Sequence, residues 1–431
     1  MPNTTDGQLQ FDVQIHFGSK INKVSQLKLL QQNIEFNTGK LLGFNTLRRF
    51  FGFLDYTKPN LNTLNTLSEY LGYYNYSVYN KNNLKYKEWH VWSGIFEIEL
   101  SETFDEKNIV WLQSQINTED YHLKIASIFK TFVYKKNYTH LNSLFESRLF
   151  QVEHIDRGKI ALNICLFFRS LDSISMNYLI KLLSPNIIFR ETILHWFIDY
   201  SYLNKGYYGK FLRNSIPFLN TNSHEALFVD LMINYNYYLS GKPNFKLIAI
   251  DKIQDDFYIV LKGRCYAYNL IYYAEKTNTV EYEKTWEAFL KIITQQEHLN
   301  LLTIEIFPAL ILLKDFKKTD YLIQKYYEDV LTLVDWSGYH VQATILLAMT
   351  VNSINKNEIK DAIISFNFIE KSKFSPSYAD YVLLFYLLVE YKLGLANSIS
   401  ESDLKEIESQ YVSIVNKTGF KRFTVDFLKN Y

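Results

Sequence analysis

Six side chains that can bind phosphates or the edges of nucleic-acid bases are concentrated in one short stretch of the chain. They are Lys40, Asn45, Thr46, Arg48, Arg49 and Lys58. An arginine guanidinium donates two parallel hydrogen bonds to a phosphate or a guanine edge, and a lysine ammonium attracts phosphates. Amide and hydroxyl groups hydrogen-bond to both kinds of target. Whether these groups act together depends on the secondary structure that presents them.

A helix is predicted just before this stretch. Leu27, Leu30 and Ile34 recur at i, i+3 and i+7, which places them on one face of a helix. Gly39 follows, and glycine commonly ends a helix because it adopts the left-handed conformation without strain. The pattern predicts a helix from about Val24 to Thr38.

The stretch itself contains a second, shorter predicted helix. Phe44, Leu47 and Phe51 keep the same spacing, so they point towards a core. The polar and basic residues between them then lie largely on the other faces. The result is a short helix with a basic, hydrogen-bonding surface.

A third helix is predicted after a loop that ends in Pro59. Asn60 is suited to cap its first turn, and Gly72 marks its end. Three leucines are predicted to form its buried stripe: Leu61, Leu64 and Leu71.

This order of elements resembles the lambda-repressor-like helix-turn-helix class, in which the second helix of the motif enters the major groove of DNA. The resemblance places Gly43 to Phe51 on the recognition helix and Pro59 to Leu71 on the supporting helix. It implies double-stranded DNA as a partner, contacted by four side chains: Asn45, Thr46, Arg48 and Arg49. One of the two arginines would contact a guanine edge, while Lys40 and Lys58 would contact phosphates. The alternative is a three-helix cap on a helical array, with lysines that serve solubility.

Charge is distributed unevenly along the chain. From Lys20 to Glu88 there are ten bases and four acids, a net charge of +6, whereas the whole chain carries only +1. A local excess of this kind is typical of a surface that contacts phosphates.

Two segments near the N-terminus are predicted to form short strands. From Leu9 to Phe17 apolar and polar residues alternate strictly, which is typical of a half-buried strand. Trp89 to Leu100 alternates in its second half and is the candidate partner strand. The two would pair with each other, or one would pair with a second copy of the chain. The alternative for the first segment is a fraying arm.

The chain is predicted to be mainly α-helical, with four parts. Residues 1–22 form an N-terminal arm or strand, 23–80 the helix-turn-helix domain, 81–104 a linker or short strand, and 105–431 a helical-repeat domain. In the last part, helix pairs begin near 222, 263, 298, 338 and 377, close to the period of known helical repeats. The segment from Asp361 to Gly394 resembles a degenerate tetratricopeptide unit, which implies an α-solenoid; an irregular helical bundle is the alternative.

Two consecutive predicted helices of the array are crowded with tyrosines and asparagines. Concave faces of solenoids often hold extended peptides with such groups, which makes five residues candidates for ligand binding: Asn234, Tyr235, Tyr238, Asn269 and Tyr272. The alternative is that these side chains fill the space between helices.

No motif for catalysis, a cofactor or a metal occurs in the sequence. It has no G-x-x-x-x-G-K-[ST], G-x-G-x-x-G, H-E-x-x-H or C-x-x-C pattern. We therefore expect no enzymatic activity, no cofactor and no metal, although a site assembled from distant residues is a further hypothesis.

The composition predicts a cytoplasmic protein. Cys165 and Cys265 both lie in apolar stretches, which favours buried free thiols in a reducing compartment. We expect no signal peptide, and no apolar run in the sequence has the length needed to cross a membrane.

The two main parts together predict a transcription regulator. The layout resembles that of peptide-responsive bacterial regulators, which implies that the array senses a peptide or protein. A long DNA site is read by two copies, so we expect a homodimer. The alternative is a helical-repeat scaffold or adaptor without DNA binding.

Overall fold

The fold was analysed in a computed structural model that describes residues 5–55, 57–221, 223–250, 258–294, 302–331 and 338–431. Within these ranges all regular structure is helical and no strand occurs, which confirms the mainly α class. The chain divides into two compact units, Met1–Thr103 and Phe104–Tyr431.

The described residues of the first unit form five helices: α1 Thr5–Phe17, α2 Val24–Thr38, α3 Phe44–Phe50, α4 Leu61–Tyr70 and α5 Tyr76–Leu100. The predicted bounds of α2 are confirmed, and Gly39 ends it in the left-handed conformation with φ of 66°. Asn60 caps α4 as predicted, because its side chain accepts a hydrogen bond from the Thr63 N–H.

One predicted core residue of α4 is exposed. Leu61 keeps 66% of its surface accessible, whereas Leu64 and Leu67 are buried and Leu71 is partly buried. Leu61 is the first residue of α4 and directly follows the Asn60 cap, so it lies at the exposed start of the helix.

The predicted strands are wrong, because Leu9 to Phe17 lies in α1 and Trp89 to Leu100 lies in α5. An alternating run also contains i, i+4 pairs, and Leu9 and Val13 form such a pair with no exposed surface. The apolar residues between and beyond them, Phe11 and Ile15, stay 57% and 65% exposed. A helix bonds its own backbone, whereas a strand requires a neighbour. The segment predicted as a linker or strand, 81–104, is likewise mostly within α5.

The second unit begins with helices of varied length. They are α6 Glu106–Gln113, α7 Tyr121–Tyr134, α8 Tyr138–Glu146, α9 His154–Phe168, α10 Ser173–Leu183, α11 Ile187–Phe189, α12 Tyr207–Ser215 and α13 His224–Leu239. A π-helical turn, Arg190–Leu194, continues α11.

Four helical hairpins follow. Their helices are α14 Ile259–Glu275 with α15 Thr279–Ile293, α16 Ile306–Leu313 with α17 Phe316–Leu331, α18 Gly338–Asn355 with α19 Ile359–Asn367, and α20 Ala379–Ala396 with α21 Glu401–Thr418. A short helix, α22 Val425–Asn430, ends the chain. The predicted start of a helix pair near 298 lies outside the described residues.

The same turn joins the two helices of each hairpin. Its central residue has a positive φ: 53° at Thr277, 55° at Lys314, 64° at Asn357 and 54° at Ser398. In the first turn the N–H groups of Thr277 and Asn278 bond to the carbonyls of Ala274 and Tyr273, at 3.0 and 2.9 Å. This is the Schellman arrangement, which satisfies the last carbonyls of a helix. The turns recur every 37 to 43 residues, so the chain repeats one hairpin design.

The first helices of successive hairpins form a layer. Helix α14 contacts α16, α16 contacts α18, and α18 contacts α20, while each also contacts the second helix of its own hairpin. At the first joint the backbones approach so closely that a Cβ on Gly263 would lie 2.1 Å from the Leu302 carbonyl oxygen. These contacts produce a helical-repeat-like unit.

Residues 198–204 connect distant parts of this unit. Tyr200 stacks on Tyr381 with ring centroids 4.4 Å apart, and Asn204 donates a hydrogen bond of 3.1 Å to the Gly419 carbonyl. The Arg169 guanidinium reaches the Pro376 carbonyl at 2.8 Å. The unit is therefore held by contacts between non-adjacent helices as well as by neighbouring hairpins.

The repeated turn allows a reciprocal test of its residue preference. A β-branched residue is strained at positive φ, while asparagine adopts that conformation more readily. We expect Thr277→Asn to raise the free energy of unfolding by about 1 kcal/mol and Asn357→Thr to lower it by a similar amount. Urea denaturation followed by circular dichroism measures both. A loss of stability in both variants would contradict the assignment of a shared turn.

Candidate nucleic-acid interface

The short helix α3 is fixed in the first unit by its apolar face. Leu47 is fully buried and Phe50 is 6% exposed, and both belong to the core that α2 and α4 also build. At its end the Gly52 and Phe53 N–H groups bond to the carbonyls of Arg49 and Arg48, at 3.2 and 2.8 Å. Gly52 has a φ of 76°, which only glycine adopts freely. Burial on one face and this closed end fix which residues of α3 face outwards.

The outward face of α3 is polar and basic. Asn45 and Arg49 are exposed, while Thr46 and Arg48 are half-buried. The Arg48 guanidinium donates a hydrogen bond of 3.4 Å from Nη1 to Asn45 Oδ1. Its Nε is buried and has no hydrogen-bond partner within the described residues. Sequence analysis does not distinguish the two arginines, but in the structure they occupy different environments.

The two lysines predicted to contact phosphates also differ in their surroundings. Lys40 donates hydrogen bonds of 2.7 Å to both carboxylate oxygens of Glu69 on α4, whereas Lys58 is exposed. The Lys40–Glu69 pair is accessible to solvent, so its contribution to stability is small. Sequence analysis missed the role of Glu69, because a pair 29 residues apart leaves no signal in local spacing.

No acidic residue interrupts the chain around α3. Between Glu35 and Asp55 the charged residues are all basic: Lys40, Arg48 and Arg49. Because Glu69 neutralises the charge of Lys40, the two arginines supply most of the positive charge on this surface.

Large apolar side chains are exposed on the segments next to α3. Phe36 near the end of α2 is 89% exposed, and Leu41 in the following turn is 66% exposed. Isolated exposed apolar residues are common, but two that lie close together in the sequence can also serve a protein contact.

The five candidate ligand residues of the array are almost all engaged within the protein. Asn234, Tyr235, Tyr238 and Asn269 are buried, and Tyr272 is half-buried. The two asparagines hold residues 246–248 against α13 and α14. Asn269 donates to the Ile248 carbonyl at 2.7 Å and accepts from its N–H at 3.2 Å, and Asn234 Oδ1 accepts from the Lys246 N–H at 2.8 Å.

The tyrosines of this group pack against other parts of the chain. The hydroxyl of Tyr235 hydrogen-bonds to that of Tyr381, and the ring of Tyr238 lies 4.9 Å from the Arg422 guanidinium. Tyr272 meets Phe245 edge-on at 5.8 Å. These contacts favour the interpretation that the side chains fill space between helices.

Both cysteines are buried and free, as the sequence predicts. Burial raises the pKa of Cys265 to about 12 and raises that of Cys165 well above its ordinary value. The thiols are therefore protonated at neutral pH and poor nucleophiles.

Neither a metal-ion cluster nor a membrane-spanning helix is found among the described residues. No group of three or more His, Cys, Asp or Glu side chains is arranged to hold a metal ion in this part of the chain. None of the helices described above has both the length and the apolar content needed to cross a membrane.

Comparison of the chain with protein families, with curated proteins and with solved structures finds no match in any of the three.

The role of Asn269 can be tested without a ligand. Asn269→Ala leaves the Ile248 N–H and carbonyl unpaired in a buried place, which should lower the free energy of unfolding by about 2 kcal/mol. Tyr272→Phe on the same helix keeps its ring contact and should change stability by less than about 0.5 kcal/mol. Urea denaturation compares the two. Unchanged stability of Asn269→Ala would point back to a ligand-binding role.

Proposed function

We propose that this protein is a DNA-binding transcription regulator, with α2 and α3 forming a helix-turn-helix of the lambda-repressor-like class. The observation that carries the proposal is the outward face of α3, where Asn45 and Arg49 are exposed on a helix whose opposite face is buried. In such a motif α3 lies in the major groove and α4 supports it.

The environments of the side chains suggest which part of the DNA each of them would contact. Arg49 is exposed and is the better candidate for a guanine edge. Arg48 is held by Asn45, so these two would act together, with Thr46 beside them. Lys58 is open to a phosphate, whereas Lys40 would first have to leave Glu69.

The second unit would supply the sensing function. In this proposal it is a tetratricopeptide-like array that binds a peptide or protein, and binding changes the spacing of two DNA-binding units in a cytoplasmic homodimer. Successive hairpins with the same turn and a layer of contacting first helices support this part. A ligand can act in this way only if it binds the two arrangements with different affinity.

A second candidate is an adaptor whose first unit binds protein instead of DNA. It is favoured by the exposed side chains of Phe36 and Leu41, which adjoin α3 and offer apolar contacts. The exposed surface of α3 itself favours DNA, because it carries polar and basic groups.

The proposal is tested by fluorescence anisotropy of the full-length chain with a pool of random-sequence DNA duplexes over a salt series. We expect binding that weakens steeply as salt rises. Arg48→Ala/Arg49→Ala should reduce affinity about tenfold or more and make the salt dependence less steep, because two positive charges leave the DNA-facing surface.

Two controls separate charge from geometry in this experiment. Lys291→Ala/Lys360→Ala removes two exposed positive charges from the second unit and should leave DNA binding unchanged. Arg48→Lys/Arg49→Lys keeps the charge but loses the bidentate geometry, so it should retain binding to random DNA better than the alanine variant. If the wild-type chain ignores DNA at low salt, the regulator proposal is wrong and the adaptor becomes the leading hypothesis.

A further inference from the structure

A groove lies between the last two hairpins of the second unit. It is formed by α19, α20 and α21 and has a volume of about 480 Å³. That volume falls within the range of small-molecule and side-chain pockets, about 300 to 1,000 Å³. Its lining residues come from all three helices, from the connection between α19 and α20, and from the turn between α20 and α21.

The floor of the groove is apolar and tightly built. Phe366, Leu393 and Ile407 are each less than 10% exposed, and they line it from one helix each. Gly394 also lines it, and a Cβ there would lie 2.5 Å from Ile399 Cδ1. The Ile399 side chain therefore packs directly against Gly394 and closes one wall.

Carboxylates dominate the rim. Glu390, Asp403 and Glu406 line the groove, and Lys371 is the single basic residue among its lining residues. Lys371 lies over the ring of Tyr386, with Nζ 4.8 Å from the centroid. The formal charge of the lining is therefore negative.

Glu390 is the carboxylate set deepest in this rim. It is half-buried on α20, while Asp403 and Glu406 on α21 are exposed. Its carboxylate forms no hydrogen bond or ion pair within the described part of the chain. Burial raises the pKa of Glu390, the nearby charge of Lys371 lowers it in part, and the charge of Glu406 raises it further. A partly desolvated carboxylate beside a like charge is stabilised when a cation binds it.

We propose that this groove binds an arginine side chain of a peptide that carries apolar residues on either side of it. The cationic head would lie between Glu390 and Glu406, and the apolar neighbours would cover Phe366, Leu393 and Ile407. Charge complementarity selects this partner, because the groove combines an apolar floor with a rim of three carboxylates and a single lysine, so its net charge is negative.

The inference deepens the sensing part of the proposed function by naming the ligand chemistry and the place where it binds. This place differs from the tyrosine and asparagine cluster of α13 and α14, whose polar groups already bind the chain itself. Its test measures peptide binding alone, so an absence of DNA binding would leave it standing.

The test uses isothermal titration of the full-length chain with capped tripeptides. Each has arginine in the centre and leucine, isoleucine, valine or phenylalanine on either side. A matched set carries citrulline, which has the shape of arginine without its charge. At least one arginine peptide should bind about tenfold or more tightly than its citrulline partner.

Variants assign the binding to the groove. Glu390→Gln keeps the side-chain size and should reduce the affinity for the arginine peptide about tenfold or more. Glu401→Gln, on α21 and outside the groove, removes an equally negative but exposed charge and should leave affinity unchanged. Circular dichroism checks that both variants fold. The proposal is overturned if no arginine peptide binds, if citrulline peptides bind equally well, or if Glu390→Gln binds like the wild type.

Discussion

The buried ion pair between Arg264 and Glu305 is the interaction on which the second unit depends. Glu305 Oε1 accepts hydrogen bonds from Arg264 Nε and Nη2 at 2.9 and 2.8 Å, and from the hydroxyls of Tyr200 and Tyr378 at 3.2 and 3.0 Å. Charges that leave water are tolerated only when their hydrogen-bonding groups are satisfied in this way. One carboxylate thereby holds together four segments that are far apart in sequence.

The first unit depends on a simpler constraint, which is the amphipathic pattern of its short helices. Leu47 and Phe50 bury one side of α3, and so leave Asn45 and Arg49 on the other. The helix is too short to be stable alone, so its position comes from the core it joins. The same burial that makes the unit fold therefore also presents the groups proposed to contact DNA.

Polar groups in this protein fall into two classes, and the distinction separates structural from functional candidates. Asn234 and Asn269 bind backbone groups of residues 246 and 248, so their polarity is already used. Glu390 lies in an open groove without such a partner in the described residues. A ligand gains more from a group whose desolvation is not yet compensated than from one already paired.

Features that depend on neighbouring residues could be predicted from the amino-acid sequence alone. The bounds of α2, its end at Gly39 and the Asn60 cap follow from local spacing and backbone preference, and so does the mainly helical class. The tertiary structure decided which face of α1 is buried, because the alternating pattern around Leu9 and Val13 fits a strand as well as a helix until a core selects one. It also decided that Lys40 pairs with Glu69, and that Glu390 and Glu406 share a groove. These outcomes depend on contacts between residues distant in sequence, and the local periodicity of the sequence does not predict such contacts.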